Sequence, residues 1–168
     1  RAARGDIPSL LGTFTLSQTY TDTPEHFQAR YHKDGHIARV ETRRMLSLRE
    51  AASLIEQRIQ SMQSVYQRHL SPYPGELSYQ IVCDEAYQPT VGATETNGIH
   101  VRFARGLATE RLTFGACTDD LAAYQGLVAW YWCPPSRALV QLEIMVPKQE
   151  PGARQLLDDY VGALRCRP

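Results

Sequence analysis

The dipeptide Asp34-Gly35 constrains the fold of this chain more than any other feature of its sequence. It lies between two segments in which apolar and polar residues alternate, 26–33 and 36–45. An Asp-Gly loop of two residues favours a type I′ turn, because both of its residues must adopt a positive φ. The pattern therefore predicts an antiparallel hairpin, whose apolar face consists of the pairs Tyr31–Ala38, Ala29–Val40 and Phe27–Thr42.

His32, Asp34 and His36 also form the densest group of metal-ligand residue types in the chain. Imidazole and carboxylate groups suit zinc and related divalent metals. However, the Asp34 side chain is needed for the turn itself, and the predicted pairing directs residues 32 and 36 to opposite faces of the hairpin. We therefore expect no metal site here, and a hairpin tip that is exposed to solvent.

Two segments predict helices. Ser47 and Glu50 have the spacing of a capping box, in which the Ser hydroxyl accepts from a backbone amide of the first turn and the Glu side chain reaches back. Apolar residues then recur every three or four positions, which predicts an amphipathic helix from about Leu48 to His69 that packs on a sheet. Pro151 opens a second amphipathic helix near the carboxyl terminus.

Alternating residues predict strands before and after the long helix. The first begins at Leu10, and later ones occupy 77–83, 99–103, 112–116, 127–133 and 138–146, with a loop through Asn97-Gly98. The segment 127–133 is apolar on both sides, as expected of a central strand that is covered on both faces. Hairpins dominate and no regular βαβ alternation occurs, so the sequence predicts an α+β fold with a mostly antiparallel sheet.

This order of elements is similar in outline to the PsbP/Mog1-like group of small α/β/α sandwiches. The likeness concerns the order of elements alone, and it implies that the sheet lies between the long helix and the carboxyl-terminal helix. A chain of 168 residues fits one core. We therefore predict a single domain over 10–168, preceded by an extended amino-terminal arm over 1–9, where the residues are mostly small or polar.

The four cysteines of the chain, Cys83, Cys117, Cys133 and Cys166, are widely spaced and form no metal-binding C-x-x-C motif. Their even number favours two disulfides, with Cys83–Cys117 and Cys133–Cys166 as the preferred one of three pairings, and four buried thiols are the alternative. Disulfides indicate a periplasmic or extracellular location. A signal peptide or a lipoprotein leader upstream of Arg1 is compatible with that expectation.

The charge balance restricts the expected partners. The chain contains 18 basic and 18 acidic residues, which gives a formal net charge of zero. This balance argues against a nucleic-acid-binding protein and against a polybasic membrane-surface protein, since both require an excess of positive charge. No apolar stretch approaches the roughly 18 residues of a transmembrane helix. We therefore expect a protein as the partner.

Five residues are candidates for ligand binding: His100, Arg102, Arg111, Trp130 and Trp132. The first three lie on polar strand faces, where they suit an anion, and the two tryptophans suit stacking on a ligand. The competing interpretations are an ordinary exposed strand face and packing of the core. No nucleophile elbow and no glycine-rich phosphate loop occurs in the sequence, so we expect neither a catalytic residue nor a cofactor.

The sequence leaves two functions open. The first is a non-catalytic extracytoplasmic domain that binds a protein partner or assists envelope assembly. The alternative is a small-molecule-binding protein or a small hydrolase, with a site formed by distant His, Arg and Asp residues. A deep pocket lined by His100, Arg102 or a tryptophan favours the alternative, whereas a broad exposed apolar patch favours the first function.

Overall fold

The computed structural model of the protein describes residues 2–70, 88–108 and 124–168. Within these ranges, seven strands form one antiparallel sheet with the order β1-β2-β3-β7-β6-β5-β4. The strands are β1 (Thr15–Asp22), β2 (His26–Lys33), β3 (His36–Arg44), β4 (Thr90–Thr96), β5 (Ile99–Ala108), β6 (Tyr124–Cys133) and β7 (Ala138–Pro147). The helices are α1 (Leu48–Leu70) and α2 (Ala153–Gly162). The predicted α+β fold with a mostly antiparallel sheet is confirmed.

The two helices pack on opposite faces of the sheet, because successive residues of a strand alternate between its faces. On the face that we call the α1 face, Ala51, Ile55 and Ile59 of the helix pack with sheet residues such as Val128 and Leu139. On the other, the α2 face, the helix contributes to the largest buried cluster, whose sheet residues include Val101, Leu127, Ala129, Val140, Leu142 and Ile144. The sheet is therefore the middle layer of an α/β/α arrangement.

The first hairpin has the predicted register, residue for residue, from Lys33–His36 to Phe27–Thr42. Asp34 and Gly35 adopt φ values of 50° and 80°, as the type I′ turn requires. The prediction of a solvent-exposed tip is wrong for His36, which is 7% exposed. Its Nε2 lies 2.7 Å from Glu150 Oε2 and its Nδ1 lies 3.1 Å from Tyr160 Oη, because α2 and the turn before it cover this end of the hairpin.

A second hairpin joins β4 to β5, in a region where the sequence predicts a loop. Asn97 and Gly98 form its turn with φ values of 48° and 76°, and the Asn97 amide nitrogen donates to the carbonyls of Gly162 and Leu164 beyond α2. Most β4 residues are exposed or only half-buried, so its sequence lacks the apolar alternation of a core strand. The strands predicted at 77–83 and 112–116 lie outside the described residues.

The amino-terminal segment differs from the extended arm and early strand that its composition predicts. It forms two short 3₁₀ helices, Ala3–Asp6 and Ser9–Thr13, and β1 begins only at Thr15. Ala3 is fully buried, its carbonyl accepts from Thr42 Oγ1 at 2.6 Å, and Asp6 Oδ2 accepts from Arg44 Nη1 at 2.5 Å. Through these contacts the segment packs over β2 and β3 on the α2 face, which holds it in an ordered conformation. The division of the chain into an arm and a domain stays a prediction.

Both helices begin close to their predicted positions. At the start of α1, Ser47 Oγ accepts from the Glu50 amide at 3.2 Å, and Glu50 Oε2 accepts from the Leu46 amide at 2.8 Å. This confirms the capping interaction, with the carboxylate reaching one residue further back than in the standard box. Neither described helix is both long enough and apolar enough to cross a membrane.

Candidate functional site

A groove of about 350 Å³ lies on the α1 face, between the first turns of α1 and strands β5 and β6. We call it the tryptophan groove and define its apolar lining as Leu48, Ile55, Trp130, Trp132 and Pro134. Its polar rim consists of Glu56, His100 and Arg102. The groove is thus apolar inside and charged along one side, which is the usual composition of a ligand or side-chain pocket.

Strand pairing explains why the predicted residues meet here. Arg102 of β5 lies opposite Trp130 of β6, so His100 and Trp132 project from the same face of the sheet as this pair. Four of the five residues predicted to bind a ligand therefore line one groove. Arg111, the fifth, lies outside the described residues.

The two tryptophans have different positions in the groove. Trp130 is 3% exposed, and its Nε1 donates to Gln141 Oε1 at 2.7 Å, which fixes the orientation of its ring. Trp132 is half-buried and offers part of its ring to the groove. These are the only tryptophans of the chain, so the tryptophan fluorescence of this protein reports on this groove.

Both Arg102 and His100 of the rim already have carboxylate partners. Arg102 forms an ion pair with Glu56 of α1, and His100 Nδ1 lies 2.9 Å from Glu95 Oε1. The rim therefore carries both signs of charge. It offers polar groups at the edge of an apolar groove instead of the concentrated positive charge that a dedicated anion site would need.

A polar network under α1 supports the groove. Arg58 Nη1 donates to Gln141 Oε1 at 2.6 Å, and Arg58 Nη2 lies 2.7 Å from Glu41 Oε1. Gln141 Nε2 in turn donates to Glu143 Oε1 at 3.0 Å. Burial raises the pKa of Glu143 above its ordinary value, although Arg39 and Arg58 act in the opposite direction. Gln141 thus ties Trp130 to the helix and to the neighbouring strands.

One feature of the sequence points to this network. Polar residues at 141 and 143 alternate with apolar ones along β7, which predicts a solvated face. In the structure that face is instead half-buried by α1, so its polar groups bond to one another. The position of Arg58 over β7 depends on how the helix docks, which no local pattern encodes.

Two strongly exposed leucines lie at and just before the start of α1. Leu48 is 60% exposed and lines the groove with Pro134, whereas Leu46 is 81% exposed and lines a wider depression of about 740 Å³ with Pro135. Leu46 stands where a hydrophobic staple would pack on the fourth helical residue. That residue is Ala51, which is small and already fully buried, and this explains why the leucine stays exposed.

A disulfide closes the strand that carries both tryptophans. Cys133, at the end of β6, is bonded to Cys166 in the segment after α2, with a Cα–Cα distance of 5.5 Å. This is one of the two pairings that the sequence favours, and it is confirmed. Cys83 and Cys117 lie outside the described residues.

The described residues of the groove do not form a catalytic or metal-binding arrangement. Ser, Thr and Cys are missing from its described lining, so His100 has no nucleophile beside it there. Across the described part of the chain, three or more His, Cys, Asp or Glu side chains nowhere gather as metal ligands would. What this arrangement can do is hold an apolar group between aromatic and aliphatic side chains.

Comparison with known proteins gives no family for this chain. No protein-family model matches it, and a search of curated proteins finds no significant relative.

Proposed function

We propose that this protein is a non-catalytic, extracytoplasmic binding domain whose tryptophan groove takes up apolar side chains of a protein partner. The observation that carries this proposal is a pair of strongly exposed leucines at and just before the start of α1, one of which lines the groove. Leu48 belongs to the groove and is 60% exposed, and Leu46, two residues before it, is 81% exposed. Large exposed leucines beside an aromatic groove are typical of protein-binding surfaces.

The rim charges support a protein segment over a small anion. Arg102 and His100 are each paired with a carboxylate, so an anionic ligand would have to compete with Glu56 and Glu95. A partner segment with apolar anchors can leave these pairs intact at the edge of the interface. Exposed pairs of this kind contribute little affinity, but they favour partners whose charges match.

The alternative function, a small-molecule-binding protein or a small hydrolase, also finds some support in this groove, because His100, Arg102 and both tryptophans line it. Two features weigh against it. The described lining lacks a nucleophile, and Leu46, which does not line the groove, is also strongly exposed two residues before Leu48.

An extracytoplasmic location is the second part of the proposal. It is supported by the disulfide between Cys133 and Cys166, since disulfides persist in oxidising compartments and are rare in the cytosol. A partner that assembles in the cell envelope would be consistent with this location.

Peptide selection tests the proposed function. Random twelve-residue peptides displayed on phage are selected on the folded protein, and the enriched peptides are titrated against three proteins: the wild type, Leu48→Asp and Leu16→Asp. Leu48→Asp places a charge in the groove, and because it adds an acidic residue to the first turn of α1 it should not disfavour the helix. Leu16 is 51% exposed on the edge strand β1, so Leu16→Asp is a matched control of the same chemistry.

We expect enriched peptides to contain large apolar residues and to bind the wild type and Leu16→Asp equally. Leu48→Asp should weaken binding at least tenfold, because it introduces a charge into an apolar contact. The proposal fails if no peptide is enriched over selection on Leu48→Asp, or if the enriched peptides bind all three proteins alike.

A further inference from the structure

The α2 face of the sheet holds a cavity of about 430 Å³ that the proposed function does not use. It lies between strands β4, β5 and β6 and the first turns of α2. Its apolar wall consists of Phe103, Leu107 and Leu157, and its polar groups include Arg105, Arg154 and Gln125. The cavity thus combines an apolar side with two guanidinium groups.

Arg105 is held in place but is incompletely bonded. Its guanidinium lies over the Phe103 ring, 4.9 Å from the ring centroid, and pairs with Asp158 of α2. Its Nε is buried and donates to no acceptor among the described residues. A buried donor without an acceptor is unusual in a folded protein, and a water or an ion commonly satisfies it.

Arg154 supplies a second cation at the cavity. It is exposed in the first turn of α2, and it makes no ion pair with any described residue. That turn contains no acidic residue, so the partial positive charge of the helix amino terminus adds to the charge of Arg154. Asp158 pairs with Arg105, so Arg154 is left without a counter-ion among the described residues.

Gly92 allows the aromatic wall to form. A Cβ atom at this position would lie 2.6 Å from the Phe103 ring, so only glycine lets the ring lie directly against the backbone of β4. Phe103 therefore presents its ring to the cavity instead of being displaced by a side chain from the neighbouring strand.

We propose that this cavity binds an organic monocarboxylate with an apolar body. The carboxylate lies between Arg105 and Arg154, where a planar guanidinium can donate two hydrogen bonds to it. The apolar body packs against Phe103, Leu107 and Leu157. One unbalanced positive charge matches a monoanion, and a purely apolar ligand would leave the arginines without a function.

NMR titration of the isotope-labelled protein tests this proposal. The probes are sodium decanoate, below its critical micelle concentration, and sodium 2-naphthoate, which distinguish aliphatic from aromatic acids. Two controls each lack one of the features that the cavity would recognise: decan-1-ol lacks the charge, and acetate lacks the apolar body.

We expect at least one of the two acids to shift the amide resonances of Phe103, Leu107, Arg154 and Leu157, while acetate and decan-1-ol bind at least tenfold more weakly. With decanoate, which does not absorb in this range, tryptophan emission should stay unchanged, because both tryptophans project from the opposite face.

The matched variants are Arg154→Gln and Arg49→Gln, which each remove one exposed positive charge, the second on the α1 side of the molecule. Arg154→Gln should weaken binding of the acid about tenfold, as expected for the loss of one charge-assisted contact, and Arg49→Gln should leave it unchanged. The proposal is overturned if decan-1-ol binds as tightly as decanoate, if both variants bind the acid alike, or if neither acid shifts these resonances.

Discussion

The two faces of the sheet are covered in different ways. In the described part of the chain, the α2 face is covered by helix α2, the amino-terminal 3₁₀ segment and the tail that the Cys133–Cys166 disulfide ties to β6. On the α1 face, helix α1 covers part of the described sheet, and polar groups that bond to one another lie beneath it. We therefore expect the α2 face to contribute more to the stability of the fold, and we propose that the groove on the α1 face serves for binding.

The largest expected effect is a difference in the free energy of unfolding between two leucine variants, one on each face of the sheet. Leu142 is fully buried in the centre of the sheet on the α2 face, between Val40 and Ala129 of the neighbouring strands. Leu142→Ala should lower the free energy of unfolding by about 3–5 kcal/mol, since the neighbours cannot fill the space. Leu48→Ala, in the groove, should change it by less than about 0.5 kcal/mol. Urea denaturation of both variants measures this contrast, and similar losses at the two positions would contradict it.

Removal of the Cys133–Cys166 disulfide is expected to cause the next largest loss in the free energy of unfolding. The disulfide closes a loop with a sequence separation of 33 residues, and in the chain-entropy description a loop of this length stabilises the folded state by about 2–4 kcal/mol. The double variant Cys133→Ala/Cys166→Ala should lose that amount in urea denaturation. If the double variant is as stable as the wild type, the tail does not close the α2 face as described.

The sequence predicts the parts of this fold that depend on neighbouring residues. It predicts the Asp34-Gly35 hairpin and the start of α1, because a two-residue turn and a capping box each involve only a few consecutive residues. Asn97-Gly98 is a two-residue turn sequence like Asp34-Gly35. However, β4 lies at the edge of the sheet and lacks the apolar alternation that would indicate a strand before this turn. The 3₁₀ segment was missed because its order comes from contacts with Thr42 and Arg44, which are distant in sequence.

The sequence predicts part of the candidate site, namely the residues that share one face of a strand. Strand alternation places His100 with Arg102 and Trp130 with Trp132, and the structure adds the register that brings the two pairs together. Leu48 and Glu56 reach the groove only because α1 docks across β5 and β6. Docking of a helix on a sheet depends on packing between distant residues, so a local pattern could not include them.

A smaller effect concerns the half-buried carboxylate under α1. Because burial raises the pKa of Glu143 in the folded state above its ordinary value of 4.5, the folded protein binds this proton more tightly than the unfolded chain. Its contribution to stability is therefore fully present below that ordinary value and is lost as the pH rises through the folded-state pKa. In Glu143→Gln this dependence should disappear, which urea denaturation between about pH 4 and 8 measures. Equal pH profiles of the two proteins would show that Glu143 is not held in a buried environment.

Tryptophan emission tests the central claim, that the groove on the α1 face is the binding site, most directly. The chain has two tryptophans and both line this groove. At saturation with a selected peptide, the emission should shift to shorter wavelength and become less sensitive to quenching by acrylamide, and the peptide should have little effect on Leu48→Asp at the same concentration. A peptide that binds tightly while the emission and the quenching stay unchanged would place the binding surface elsewhere and contradict the account.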